Sequence, residues 1–269
     1  MFRGIAERFR KTAYPVRITL GKLIMLAMRE QLIDFTNALQ LQNSMIYKAA
    51  AFAAAHKLEG DYLEFGVYAG NSFTFAFRAM QQAFMKDYVP GIYNTEQDCI
   101  ERHELGRKIR FFAFDSFQGL PMPAGIDSIS GDFSNGQFSC TVENFKKNIA
   151  RQGVPLDRVI VVPGYFGSTL NEETVRKYDI KRAAIVYIDS DLYESAKIVL
   201  QFITPLLQDG TIIIFDDWYC FRGNPNFGEQ KACAEWLDSN PDWILTQYQK
   251  ESSWRNSFIA NEKLPRPKA

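Results

Sequence analysis

Histidine is nearly missing: only His56 and His103 occur in 269 residues. A zinc site or a Ser–His–Asp hydrolase therefore has little support. The four cysteines (Cys99, Cys140, Cys220, Cys233) show neither CxxC spacing nor the density of a disulfide scaffold, so free, reduced thiols are expected. Net charge is missing as well. The 31 basic and 31 acidic side chains cancel, and nothing global favours nucleic acid as a partner. Near the N-terminus the longest apolar run is Leu23 to Met28, too short for a signal peptide or a membrane span. A cytoplasmic protein is expected. Internal repeats and low-complexity linkers are absent too.

What remains is ordinary globular composition, 46% apolar and 23% charged. The length suits one large domain or one domain with a helical appendage. We place a helical extension at 1–58 and the main domain at 59–269. Residues 1–30 hold seven basic groups (Arg3, Arg8, Arg10, Lys11, Arg17, Lys22, Arg29) against Glu7 and Glu30, a local charge of +5. Their apolar positions fit a lid or a dimer arm, packed on the domain or on a partner subunit. That reading is favoured over peripheral contact with an anionic membrane, and a homo-oligomer is expected. A second helix is predicted over about 43–56, with Ile46, Ala49, Ala50, Ala53 and Ala54 on one face.

From residue 62 strands and helices alternate, predicting an α/β fold with a doubly wound, mostly parallel sheet. The central stretch is Ala183 to Tyr219. Two β-branched runs end at acids, Asp189 and Asp191 in the first, Asp216 and Asp217 in the second, with a crossover helix between. Parallel strands joined this way end on one edge of the sheet, where ligands of open α/β sheets bind. A carboxylate-rich site able to hold a divalent cation is expected there. Upstream, Tyr62–Phe65 runs into Gly66 and Gly70 and then a helix, the strand–glycine-turn–helix layout whose backbone amides face a ligand. Asp115 closes the next strand, Ile109–Phe114, in the place where an acid accepts ribose hydroxyls. The loop from Met122 to Cys140 is long enough to be functional, with Asp132, Phe133 and Phe138 as candidates to cover a ligand. Thr141 is a helix cap. Trp243–Tyr248 and Ser257–Ala260 are two late strands, with Gln249–Asn256 as their turn.

The segment Tyr62-Leu63-Glu64-Phe65-Gly66-Val67-Tyr68-Ala69-Gly70-Asn71-Ser72 resembles the first motif of metal-dependent O-methyltransferases. Phe114-Asp115-Ser116-Phe117, Gly119-Leu120-Pro121, Val162-Pro163-Gly164-Tyr165-Phe166, Asp189-Ser190-Asp191-Leu192-Tyr193 and Asp216-Asp217 narrow this. Together they resemble the macrocin and mycinamicin sugar O-methyltransferase family over roughly 60–240. The resemblance implies a Rossmann-like class I methyltransferase fold with an antiparallel C-terminal hairpin. It implies S-adenosylmethionine held by Glu64, Gly66, Tyr68, Gly70, Ser72, Asp115, Ser116, Phe117, Gly164, Phe166 and Asp189. Magnesium would sit on Asp189, Asp216 and Asp217, and the acceptor would be a hydroxyl of a sugar or glycosylated metabolite. Asp189 and Asp191 are the candidate catalytic residues, Asp191 as a base or a helix cap. Catechol-type relatives place a lysine three residues after the first metal aspartate; Leu192 stands there in this chain. An N- or C-methyltransferase without metal and a non-catalytic scaffold are the competing expectations.

Overall fold

The computed structural model describes residues 41–85 and 95–263. The expectations for the first forty residues, lid, dimer arm and membrane contact, lie outside them. From Ser44 onward the described residues form one compact unit. Helix α1 (Met45–Ala55), grouped with the extension from the sequence, thus belongs with the sheet. Ser44 caps it by accepting from the Tyr47 amide. At its start the Met45 amide donates to Glu251, and Phe52 packs on Tyr248 at 5.5 Å.

The chain then alternates: β1 (Asp61–Phe65), α2 (Asn71–Phe84), α3 (Glu96–Lys108), β2 (Phe111–Asp115), α4 (Asp127–Ser130), α5 (Val142–Arg151) and β3 (Val159–Pro163). It continues through α6 (Phe166–Thr169), α7 (Glu172–Tyr178), β4 (Ala183–Ile188), α8 (Tyr193–Ile203), β5 (Thr211–Phe215), α9 (Gly228–Ser239), β6 (Trp243–Glu251) and β7 (Arg255–Glu262). The sheet has the order β3-β2-β1-β4-β5-β7-β6, parallel through β5 and antiparallel at β7 and β6. This is the parallel sheet with an antiparallel edge hairpin that the strand pattern predicts.

The inner strands are buried on both faces, which is why they read as unbroken apolar runs rather than alternating ones. Leu63, Phe65, Phe112, Phe114, Ile188 and Phe215 turn one way, into a core with Ala196 and Val199 of α8 and Trp236 of α9. Tyr62 and Phe111 turn the other way, onto Phe73 and Phe77 of α2, and Phe73 meets Phe145 of α5. Each wholly buried phenylalanine contributes roughly 1.5–3 kcal/mol, and β1, β2 and β5 each carry at least one.

The hairpin is longer than predicted. Pairing resumes at Lys250↔Asn256 and Glu251↔Arg255 after a register shift between Gln247 and Lys250, leaving only Ser252–Trp254 for the turn. Polar side chains on a half-exposed edge strand gave no strand signal there. The consequence is large: Arg255 becomes a strand residue beside the end of β5.

Candidate active site

Every parallel strand ends on one edge, and backbone bonds tie those ends together. The Gly66 amide donates to Phe114 O at 2.8 Å, that of Asp189 to Phe65 O at 2.9 Å, and that of Asp216 to Ile188 O at 2.9 Å. The β1 turn is locked by glycine. At Gly66, with φ +89°, an added Cβ would lie 1.8 Å from the Asp189 carbonyl oxygen. Gly70, with φ +87°, caps α2 where a Cβ would strike Ile149 and Phe145.

Above this edge lies a cavity of about 510 Å³, within the usual range for small-molecule sites. Gly66, Tyr68, Asp115, Ser116, Phe166, Asp189, Asp191, Asp216 and Asp217 all line it, so one space joins the β1 glycine turn to the acids after β4 and β5. Other candidates lie behind that wall. Glu64 is fully buried and accepts from Tyr62 Oη and from Ser72 Oγ, the latter at 2.7 Å. Its desolvation pushes its pKa up to about 8, against the lowering effect of those two donors. Gly70 packs on α5, Phe117 on Phe145 at 5.7 Å, and the Gly164 amide donates to Asp115 O. These residues shape the wall rather than face the space. Asp115 is a hub: Oδ2 accepts from the amides of Val67 and Tyr68, Oδ1 from Phe117.

The acids divide in a way the sequence did not show. Asp189, Asp191 and Asp217 bring one carboxylate oxygen each to within 4.8 Å of one another. Asp216 is engaged elsewhere. Its Oδ1 accepts from Arg255 Nε at 2.5 Å and from the buried Tyr187 hydroxyl. The set expected for metal, Asp189, Asp216 and Asp217, is therefore not the set that converges, because Arg255 from the edge hairpin draws Asp216 to itself. Nor is Asp191 a helix cap. Leu192 holds that position without a side-chain bond, and Asp127 of α4 reaches across to accept from the amides of Tyr193 and Glu194. Asp191 itself is buried with φ +58°, its amide donating to Asp217 Oδ2 at 3.2 Å.

Three carboxylates this close oppose each other's ionisation. Burial, then Asp217 and Asp216, push Asp191 up to about 8. Burial and Asp216 push Asp217 to about 6. Asp189 rises well above the ordinary range, chiefly by burial and then by Asp216 and Asp217. A divalent cation would reverse these effects, and hard carboxylate oxygens are the donor chemistry magnesium takes.

Two groups escaped the sequence reading. Glu229, at the start of α9 and 1% exposed, accepts from the Asp217 amide through Oε2 while Oε1 has no partner. Arg255 was hidden in what looked like a turn; only the strand register, Phe215↔Asn256, places it beside Asp216. In the 122–140 loop, Phe138 lines the cavity and meets Tyr68 at 6.2 Å, whereas Phe133 packs on Phe221 at 5.7 Å. Asp132 is not among the lining residues. All four cysteines are free. Among the described residues no helix is long and apolar enough to cross a membrane.

A family model described as Macrocin-O-methyltransferase (TylF) matches residues 99–238. The chain is 33% identical over 115 residues to the 8-demethyl-8-(2,3-dimethoxy-alpha-L-rhamnosyl)-tetracenomycin-C 4'-O-methyltransferase of Streptomyces olivaceus, covering 40% of this chain and 42% of that protein. The match thus spans less than half of that relative. Among solved structures, the O-methyltransferase NovP superposes with a TM-score of 0.59 at 20% identity, covering 82% of this chain and 78% of its own. CalS11, a calicheamicin methyltransferase, gives 0.57 at 23%, covering 84% and 79%. At those identities the structural likeness establishes the fold and nothing finer.

Proposed function

The chain belongs to the macrocin O-methyltransferase family, and from that premise we propose that it transfers a methyl group from S-adenosylmethionine to a hydroxyl of a sugar or other polyhydroxylated metabolite, with magnesium as the partner ion. The observation that carries the reading is the single cavity joining the Gly66 turn to the buried acids of β4 and β5. The cofactor would lie along Gly66, Tyr68, Asp115, Ser116 and Phe166, and it supplies an electrophilic sulfonium methyl. Asp189 and Asp217 are common to the expected metal set and the observed cluster, and they would hold magnesium with Oδ2 of Asp216 as third donor, leaving Asp191 for the proton. When bound, such an ion lowers the pKa of a coordinated hydroxyl.

The chain's own residues do the rest. The cavity wall would hold one acceptor hydroxyl against the cofactor's methyl, which settles orientation before reaction. With the cofactor bound, attack by the hydroxyl oxygen on its methyl carbon would break the C–S bond, the electron pair staying on sulfur. The hydroxyl proton passes to a carboxylate oxygen of Asp191, buried in the cavity wall and without the lysine that catechol-type relatives use. Phe138 and Tyr68, edge to face at 6.2 Å, stand at the cavity wall.

A metal-free N- or C-methyltransferase leaves the three converging carboxylates without a role. So does a scaffold. The test measures S-adenosylhomocysteine release against a panel of hydroxylated acceptors, with and without EDTA. Full activity in EDTA removes magnesium from the proposal. Failure of S-adenosylmethionine to raise the thermal midpoint removes the transferase itself.

A further inference from the structure

A polar chain runs from the start of α1 to the acid edge through Glu251 and Arg255, neither of which lines the cavity. It depends on an irregularity in β6. Between Gln247 and Lys250 the pairing with β7 shifts, and the wholly buried Ser257 closes the gap. Its Oγ accepts from the Gln249 amide at 3.1 Å and donates to Gln249 O at 3.0 Å. A bulge re-aims the side chains beside it. Here it leaves Glu251 directly across from Arg255. Helix α1 is tied to the same stretch, with Lys48 Nζ donating to Gln249 Oε1 and Tyr248 Oη to Lys48 O, both at 3.2 Å.

Glu251 splits its carboxylate. Oε1 accepts from the Met45 amide at 3.0 Å, one of the donors that a helix start leaves unbonded. Oε2 accepts from Arg255 Nη1 at 3.3 Å. Arg255 splits its guanidinium in turn, with Nε on Asp216 Oδ1 and Nη1, on the far side of the plane's edge, on Glu251. The Tyr187 hydroxyl also falls on Asp216 Oδ1. A guanidinium free to turn takes both oxygens of a carboxylate, the fork that fits its geometry. Glu251 holds it from the other side.

We infer that Glu251 is a positioning residue for the cation: it anchors the Arg255 guanidinium so that Arg255 keeps to one oxygen of Asp216 and leaves Oδ2 to magnesium. The inference rests on the magnesium reading above. Without Glu251 two effects run the same way. The guanidinium is free to cover Oδ2, and its positive charge is no longer shared between two carboxylates beside the cation. Through the Met45 amide, the first turn of α1 supports the acid site.

The test titrates Mg²⁺ by calorimetry, and Mn²⁺ by electron paramagnetic resonance, into the full chain with S-adenosylhomocysteine. Glu251→Gln keeps the shape and removes the charge; Glu251→Ala removes both. Each is expected to weaken the cation about tenfold or more, as changes behind a metal ligand do, with S-adenosylhomocysteine affinity near native. In turnover the loss should lie in the Mg²⁺ concentration needed, with kcat regained at high Mg²⁺. In an Arg255→Met background Glu251→Gln should leave cation affinity unchanged, because Glu251 acts through Arg255. Native cation affinity in both single variants overturns the inference. So does an equal loss in the Arg255→Met background, the mark of a merely structural role. If the native chain binds S-adenosylhomocysteine but neither cation, the magnesium reading falls and takes the inference with it.

Discussion

Replacing Arg255 with methionine isolates what the edge hairpin does for the acid site. In the native chain Arg255 Nε lies 2.5 Å from Asp216 Oδ1, with side-chain exposures of 35% and 18%. A fully exposed pair is worth about 0–1 kcal/mol, whereas breaking a buried one costs about 3–5 kcal/mol because a charge is left unpaired. A pair a third open to water falls between, at about 2 kcal/mol. For a domain of this size that lowers the midpoint by about 4–8 °C. The loss has a stated origin, the stranded Asp216 carboxylate among Asp189, Asp191 and Asp217, so two further results follow. Asp216→Asn in the Arg255→Met background should regain part of the loss, because the stranded charge is gone. Mg²⁺ should raise the midpoint of Arg255→Met by more than that of the native chain. Differential scanning fluorimetry on the four chains of this cycle, with and without Mg²⁺, gives all the terms. A double variant no more stable than Arg255→Met would refute the stranded-charge reasoning.

Gly66→Ala should destabilise by about 3 kcal/mol or more, since a Cβ meets the Asp189 carbonyl at 1.8 Å and φ is +89°; chemical denaturation measures it, and a loss under 1 kcal/mol contradicts the close approach. Asp189→Ala should abolish methyl transfer while S-adenosylmethionine still raises the midpoint, which separates cofactor binding from chemistry in one thermal-shift and one turnover assay. Glu64 and Asp191 are pushed up to about 8 and Asp217 to about 6, all raised on folding. Their stabilising contribution is therefore complete below the ordinary carboxylate range and is lost as pH climbs through 6 to 8. The cation-free midpoint should fall between pH 5.5 and 8.5, and saturating Mg²⁺ should flatten that slope; a flat profile without Mg²⁺ is the contrary result. Asp127→Ala should cost about 1 kcal/mol, the usual worth of a lost helix cap, because it frees the amides of Tyr193 and Glu194.

Much of the fold was legible because its signals are local or periodic. Ala183–Ile188 and Thr211–Phe215 announce buried strands by composition alone, and the acids that stop them mark the ligand edge. Thr141 caps its helix, as a hydroxyl before a periodic segment predicts. The hairpin was less legible. Lys250, Glu251 and Arg255 are polar, and only the pairing of β6 with β7 makes strand residues of them. The site shows the same divide. That Asp189, Asp191, Asp216 and Asp217 share an edge follows from two parallel strands of known hand. Which three converge does not, since it depends on an arginine 39 residues beyond Asp216 and on a tyrosine hydroxyl inside β4. Glu64 illustrates a different limit: a motif names the residue, but burial beneath the turn decides that it supports Ser72 rather than facing the cavity.

Asp127 gives the loop over the cavity a fixed point. The loop is pinned near its middle to the first turn of α8, the helix that follows the acids of β4. It is thus two short arms on one pivot, one running from Gly119 to Asp127 and the other from Asp127 to Cys140. The arms are also tied to each other, since the Leu120 amide donates to Gln137 O at 2.8 Å and the Gly136 amide to Leu120 O at 2.9 Å, so a change of length in one arm pulls on the other. Exposed side chains of the loop can thus be exchanged while its two backbone ties, to α8 and across its own neck, hold the path over the cavity.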